Sequence, residues 1–134
     1  MEKIILWKDR DKKLMDPMLF SRIAENFALQ IAEENRTERG GPNKRTQLRK
    51  FFDESVTLNM AAKANPANWP NQIPLVHMLT AKAAYAHGRK LISKGFLEFI
   101  RNSVEQIERP EDLEVFTTFF ESFVGFYRLH GPKN

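Results

Sequence analysis

The chain contains no cysteine. That excludes disulfides, thiol nucleophiles, zinc ribbons and iron–sulfur clusters together, and it accords with a reducing, cytoplasmic setting. Histidine is nearly as scarce, with His77, His87 and His130 the whole set. No two lie four residues apart, so no pair shares a helix face as a helical zinc site requires. No Arg stands at the Arg-x4–6-His spacing of a small helical ribonuclease. Arg39-Gly40-Gly41-Pro42 is the one glycine pair, and it lacks the Lys-Ser/Thr that a phosphate-cradling loop needs. No apolar run approaches the roughly 20 residues of a membrane helix. Ile4-Ile5-Leu6-Trp7 is short, charged on both flanks and followed by no small-residue cleavage site, so no signal peptide is expected. Six Gly and seven Pro in 134 residues are too few for a loop-rich chain, and there is no internal repeat.

The remaining composition is that of a globular protein: 42% hydrophobic and 28% charged residues, with a length suited to one domain. Eleven Phe stand against two Trp and two Tyr, which predicts a packed core with few polar handles. The Phe residues recur at spacings of three and four, the period of an amphipathic helix. Asp16-Pro17 opens the first stripe, Leu19, Phe20, Ile23, Phe27 and Ile31, with Asp as cap and Pro at the first helical position. This helix is predicted to end near Glu34 or Asn35, before a linker over 36–43. A second helix from Lys44–Gln47 carries Leu48, Phe51, Phe52, Val56 and Met60. Pro66, Pro70 and Pro74 then predict an extended loop around Trp69. A third helix is expected over 73–91, with Leu75, Met78, Leu79, Lys82, Tyr85 and Ala86 along it. Ser93 caps a fourth with Phe96, Phe99, Ile100, Val104 and Ile107. Pro110-Glu111-Asp112 starts a fifth, with acids favourable to its N-terminus; its stripe is Leu113, Phe116, Phe119, Phe120, Phe123 and Tyr127, and Gly131-Pro132 ends it. The expected fold is all-α, a compact bundle of about five helices. An arm over 1–15, mobile or docked through Ile4, Ile5, Leu6 and Trp7, precedes a single helical domain over 16–131.

No active site emerges. Asp53-Glu54 are adjacent, and neighbours on a helix diverge, so they read as solvated charge. The basic residues are more informative. The net charge of +4 is unevenly spread. Arg36, Arg39, Lys44, Arg45, Arg49 and Lys50 face only Glu38 over 36–50, and Lys82, Arg89, Lys90, Lys94 and Arg101 face only Glu98 over 82–101. Over 105–121 the sign reverses: Glu105, Glu108, Glu111, Asp112, Glu114 and Glu121 face only Arg109. A basic middle suits phosphate contacts that neutralise charge without reading sequence; a solvated helix face explains it as well. Lys82 shares a stripe with Leu75, Leu79 and Ala86, so its stem is expected to lie against the core. Arg89 lies seven residues on, and the pair would border an anion site unless each is matched by an acid on another helix. The Phe residues lie on helical stripes and read as core, not as a base-stacking platform. Trp69, in the proline loop, is the aromatic best placed for exposure, and it could equally cap the bundle.

Three blocks carry a family resemblance: 46–54 (TQLRKFFDE), 79–89 (LTAKAAYAHGR) and 119–127 (FFESFVGFY). In order and spacing they resemble the small-subunit family of type III-A CRISPR–Cas effector complexes, with Gln47, Arg49, Tyr85 and Arg89 the most telling. Phe51-Phe52 stands where Phe-Tyr is more usual. The resemblance implies a non-catalytic subunit with no cofactor or metal. It would stack in copies as an inner filament beside the backbone and large subunits, and contact guide and target RNA through backbone charges. Carried over residue by residue, the RNA-facing set is Gln47, Arg49, Lys50, Lys82 and Arg89; charge alone adds Arg45 and Lys90. The acidic last helix would then meet a basic surface on the next copy. The rival expectation is a helical protein–protein interaction module that binds no nucleic acid, favoured if Arg49, Lys82 and Arg89 are paired internally. A small hydrolase would need a carboxylate pair or histidine site that the sequence does not offer.

Overall fold

Phe27, Phe96, Phe99, Phe116, Phe119, Phe120 and Phe123 come from three different stretches of the chain and meet in one cluster. Their ring centroids lie 4.7–6.3 Å apart in tilted and edge-on pairs. Such geometries suit the ring quadrupole. Every ring in the cluster is buried. Removing one buried Phe side chain costs about 3–5 kcal/mol, so this cluster holds the fold together. The computed structural model describes residues 3–134.

The described residues form five α-helices, α1 (Ala24–Thr37), α2 (Arg45–Ala64), α3 (Trp69–Gly88), α4 (Lys94–Glu105) and α5 (Pro110–His130), and α1, α4 and α5 present these rings. No strand occurs among the described residues; the stretch over 4–7 is irregular, and one isolated bridge joins Asp9 to Leu14. The all-α bundle of five helices is therefore the architecture. α5 is central, packing on α1 and α2, while α3 packs mainly on α4. No helix among the described residues is long and apolar enough to cross a membrane.

Several boundaries differ from expectation for local reasons. The Asp16 carboxylate does accept the Met18 N–H at 2.8 Å. The first turns, Leu19–Ile23, form a wider π-helix before α1 proper begins, and α1 continues to Thr37. Ser93 caps α4 as predicted, its Oγ accepting the Phe96 N–H. The predicted proline loop is a correction. Pro66–Asn68 form one 3₁₀ turn, and α3 starts at Trp69 and runs through Pro74. Pro70 falls in the first turn, where its missing N–H has no partner to lose. Pro74 lies one turn further in and removes a single hydrogen bond near the helix start. Trp69 is half-buried, and its indole N–H donates to the Glu108 carbonyl at 2.9 Å.

Two helix faces are also rotated from the predicted stripes. On α2 the buried line is Leu48, Phe51, Ser55, Asn59 and Ala62, while Met60 is exposed. On α3 it is Gln72, Val76, Leu79, Ala83 and Ala86, leaving Leu75, Met78 and Tyr85 outside. Ser55, Asn59 and Gln72 hold buried positions through donor groups that find acceptors, while Asn59 Oδ1 and Gln72 Oε1 have no partner. Gln72 Nε2 donates to the Ala61 and Asn65 carbonyls, and Asn59 Nδ2 donates to Glu114.

The arm packs on the far end of the bundle. Ile4 and Leu6 are buried and Ile5 is exposed. Gln106 clamps the backbone, accepting the Leu6 N–H at 2.8 Å and donating to the Ile4 carbonyl at 2.7 Å. Asp112, fully buried in the first turn of α5, accepts the Trp7 indole N–H and an Arg10 guanidinium N–H, both at 2.8 Å. It also accepts the N–H groups of Glu108 and Arg109. Burial alone would raise its pKa. These four donors outweigh that and hold the carboxyl below the usual carboxylate range.

Candidate functional site

The site begins at the turn that positions the start of α2. Asn43 is fully buried with φ 69°, a left-handed conformation that Asn tolerates better than most residues. Its N–H donates to the Leu91 carbonyl, its Nδ2 to Ser93 Oγ and the Ile31 carbonyl, and its Oδ1 accepts the Ser93 N–H. One side chain thus ties the middle of α1, the start of α2 and the α3–α4 turn. The Gly40-Gly41 pair before it, both with positive φ, lets the chain turn back. α2 and α3 then run side by side in opposite directions. Glu54 on α2 meets Lys82 on α3, and Gln47 and Lys50 at the start of α2 lie across from Tyr85 and Arg89 near the end of α3.

Two depressions flank α2. One, of about 310 Å³, is lined by Gln47, Lys50, Phe51, Glu54, Lys82, Tyr85 and Arg89 among others. The other, of about 350 Å³, lies between α2 and α5 and includes Arg45, Arg49, Lys50 and Arg128 against Leu48, Phe123 and Val124. Lys50 lines both. Six of the seven sequence-derived residues therefore line one depression or the other: Arg45 and Arg49 toward α5, Gln47, Lys82 and Arg89 toward α3, and Lys50 both. Lys90 follows Arg89, exposed at the end of α3 with φ 64° and lining neither depression.

These charges differ in how free they are. Lys82 is paired to Glu54 across the helices, and its side chain is 45% exposed. The acidic match on another helix is what the sequence had left open for Lys82. Arg49 Nε donates to Asp53 Oδ1 at 3.3 Å in an exposed i,i+4 pair, and its guanidinium lies 5.7 Å from the Phe52 ring centroid. Such exposed pairs contribute little and break easily. Arg45 turns inward: Nη2 donates to the Arg128 carbonyl at 3.1 Å, and Nε is enclosed without a partner. Lys50, Arg89 and Lys90 make no salt bridge among the described residues.

Sequence reasoning passed over Tyr85 as a contact residue because it stood on a presumed core stripe. It is 69% exposed, and the Arg89 guanidinium lies over its ring, 5.7 Å from the centroid. The buried line of α3 runs instead through Gln72, Val76, Leu79, Ala83 and Ala86, and Gln72 holds its place on it through the Ala61 and Asn65 carbonyls.

The acidic end is partly spent inside the chain. Asp112 holds Arg10, Glu111 meets Lys13 and Arg109, and Glu114 takes Lys63 and Asn59. The donors from Lys63 and Asn59 lower the Glu114 pKa. Glu105, Glu108 and Glu121 make no salt bridge among the described residues. The histidines are scattered: His87 Nδ1 contacts the Ile92 carbonyl, His130 contacts Glu25 at 2.7 Å, and His77 is exposed. Groups of three or more acidic or histidine side chains able to hold a metal ion do not occur among the described residues.

A model of the Csm2 Type III-A family matches residues 16–133. No curated protein and no solved structure matches the chain.

Proposed function

The chain belongs to the Csm2 family of type III-A CRISPR systems, and from that membership we propose that it is a non-catalytic, cytoplasmic, RNA-binding subunit of the effector complex. It contacts guide and target RNA through phosphates, without sequence preference, and stacks with further copies beside the backbone and large subunits. The observation that carries this reading is the basic surface along α2, where Lys50 joins a depression toward α3, rimmed by Lys82 and Arg89, to one toward α5, rimmed by Arg45 and Arg49. Lys and Arg so spaced neutralise successive phosphates and displace counterions. Several weak contacts per copy add up when copies line one strand.

The pairing of Lys82 with Glu54 and of Arg49 with Asp53 favours the second reading, a helical module that binds protein alone. One measurement separates them: anisotropy of a labelled generic RNA across a salt series. The RNA-binding reading expects log K to fall with log salt by about 0.7 per phosphate contacted on a single strand. Arg49→Glu and Arg89→Glu should weaken unrelated RNA sequences equally. Absence of binding, or binding indifferent to salt, supports the protein-only module.

A further inference from the structure

Tyr85 is the most exposed aromatic side chain of the described residues, at 69%. A phenol ring left in water on an otherwise ordinary helix is a contact surface in search of a flat partner. Its neighbours decide what kind. On α3, Lys82 stands one turn before it and Arg89 one turn after. Across the depression, α2 contributes Gln47 and Lys50. The one acid there, Glu54, is already engaged by Lys82. The Arg89 guanidinium rests over the ring, which restrains it and draws its electron-rich face toward positive charge. An aromatic ring within a cluster of cations is the arrangement that single-stranded nucleic-acid sites use, with the base stacked and its phosphates on the surrounding charge.

We propose that Tyr85, backed by Arg89, is a stacking platform for one unpaired nucleobase, that Lys50 takes a phosphate beside that nucleotide, and that Lys82 reaches the other only when it gives up Glu54. The inference rests on the RNA-binding reading and sharpens it: this face grips a base that is not in a duplex, whatever that base is. Gln47 lies close enough to the same depression to meet a base edge or a ribose hydroxyl. The competing use of Tyr85 is a protein contact, since Leu75 and Met78 are exposed earlier on the same helix. Those two lie more than one and a half helical turns before Tyr85, beyond the cations. The charge around the ring therefore argues for nucleic acid.

The test compares three labelled oligonucleotides of equal length: a single-stranded RNA, the same RNA as a blunt duplex, and an abasic ribose-phosphate strand. Wild-type protein, Tyr85→Ala, Tyr85→Phe and Lys50→Glu are titrated at two salt concentrations. Tyr85→Ala should weaken the single-stranded RNA about tenfold, as loss of one base–aromatic stack does. It should leave the abasic strand and the salt dependence unchanged, and Tyr85→Phe should restore wild-type affinity. Lys50→Glu should weaken all three ligands. If wild-type protein binds none of them, the RNA-binding reading itself falls. If Lys50→Glu weakens RNA while Tyr85→Ala does not, or if Tyr85→Ala weakens the abasic strand equally, RNA binding stands and the platform is overturned. Unchanged RNA affinity with loss of self-association in Tyr85→Ala assigns the ring to a protein contact and overturns the platform.

Discussion

Tyr127 donates its phenolic hydrogen to the main-chain oxygen of Asn43, 2.6 Å away and 84 residues earlier in the chain. The bond joins the last turns of α5 to the left-handed turn that launches α2. Burial pushes the Tyr127 pKa up, further than the nearby Arg45 charge lowers it, so the phenol remains a donor well into alkaline solution. Tyr127→Phe leaves the Asn43 oxygen buried without this partner and should cost about 1–3 kcal/mol in urea unfolding. At Asn43 itself, two substitutions separate two causes. Asn43→Gly loses the side-chain bonds to Ser93 and Ile31 but keeps the left-handed backbone. Asn43→Ala loses both and should be less stable than the Gly variant by about 1–2 kcal/mol. Equal stability of the two would show that φ at this position is not a constraint.

Asp112 sets a pH dependence. Its carboxyl titrates below the ordinary value of 3.8 in the folded chain, so the folded state binds this proton less readily than the unfolded one. The stabilisation is complete above that ordinary value and is lost as pH falls through the depressed one. Asp112→Ala, which leaves Arg10 and the Trp7 N–H without their acceptor, should cost about 3–5 kcal/mol near neutral pH. Asp112→Asn should flatten the acid limb of stability against pH. An acid limb that keeps its wild-type slope in Asp112→Asn would assign the acid sensitivity to other groups. The arm over residues 3–15 should be the first part of the variant to gain amide exchange, because Trp7 and Arg10 are anchored through this carboxylate.

The five-helix architecture was legible because seven Phe residues recur at helical spacing and their stripes point to one centre. α4 and α5 read correctly, with Ser93 as the cap of α4 and Pro110 as the first residue of α5, because both stand where termini require them. α2 and α3 read less well. Their apolar residues outnumber the core positions, so Val56, Met60, Leu75 and Met78 drew the stripe away from the true line through Ser55, Asn59 and Gln72. Polar side chains at those positions are stable only through partners, Glu114 and the Ala61 carbonyl, that no local pattern announces. The proline loop failed similarly: three prolines at intervals of four read as breakers, and their offset from the helix start is what makes them tolerable. At the candidate site, charge clustering marked residues that line the two depressions beside α2. It could not show that Lys82 has an acid across from it, or that the exposed aromatic is Tyr85 and not Trp69.

Gly95 is the second residue of α4, and the Glu34 carboxylate crosses directly over it. A Cβ there would lie 2.4–2.9 Å from the carboxylate atoms. Glu34 is held by Ser93 Oγ at 2.5 Å and Gln30 Nε2 at 3.0 Å, and its charge faces the N-terminus of α4, where a carboxylate is favourable. Gly95→Ala must displace it and should destabilise the fold by about 1 kcal/mol despite the better helix propensity of Ala. In a Glu34→Ala background the same change meets no obstacle and should be neutral or stabilising by up to about 1 kcal/mol. Additive effects in this double-mutant cycle would mean that Glu34 does not constrain position 95.

Glu54 restrains the basic charge it sits among. Its carboxylate pairs with Lys82, and both side chains remain partly exposed, at 32% and 45%. The pair is therefore worth less than about 1 kcal/mol to the fold. Glu54→Gln removes one negative charge from the depression and frees the Lys82 ammonium for phosphate. The variant should keep near wild-type stability and bind single-stranded RNA more tightly at low salt, with the slope of log K on log salt steeper by about 0.7, one additional phosphate contact. Asp53→Asn should act in the same direction but more weakly, because the Arg49–Asp53 pair is more open to solvent and already yields to competing anions. Isothermal titration or anisotropy at three salt concentrations reads both slopes. An unchanged slope in Glu54→Gln would remove Lys82 from the contact set and leave Lys50, Arg49 and Arg89 to account for binding.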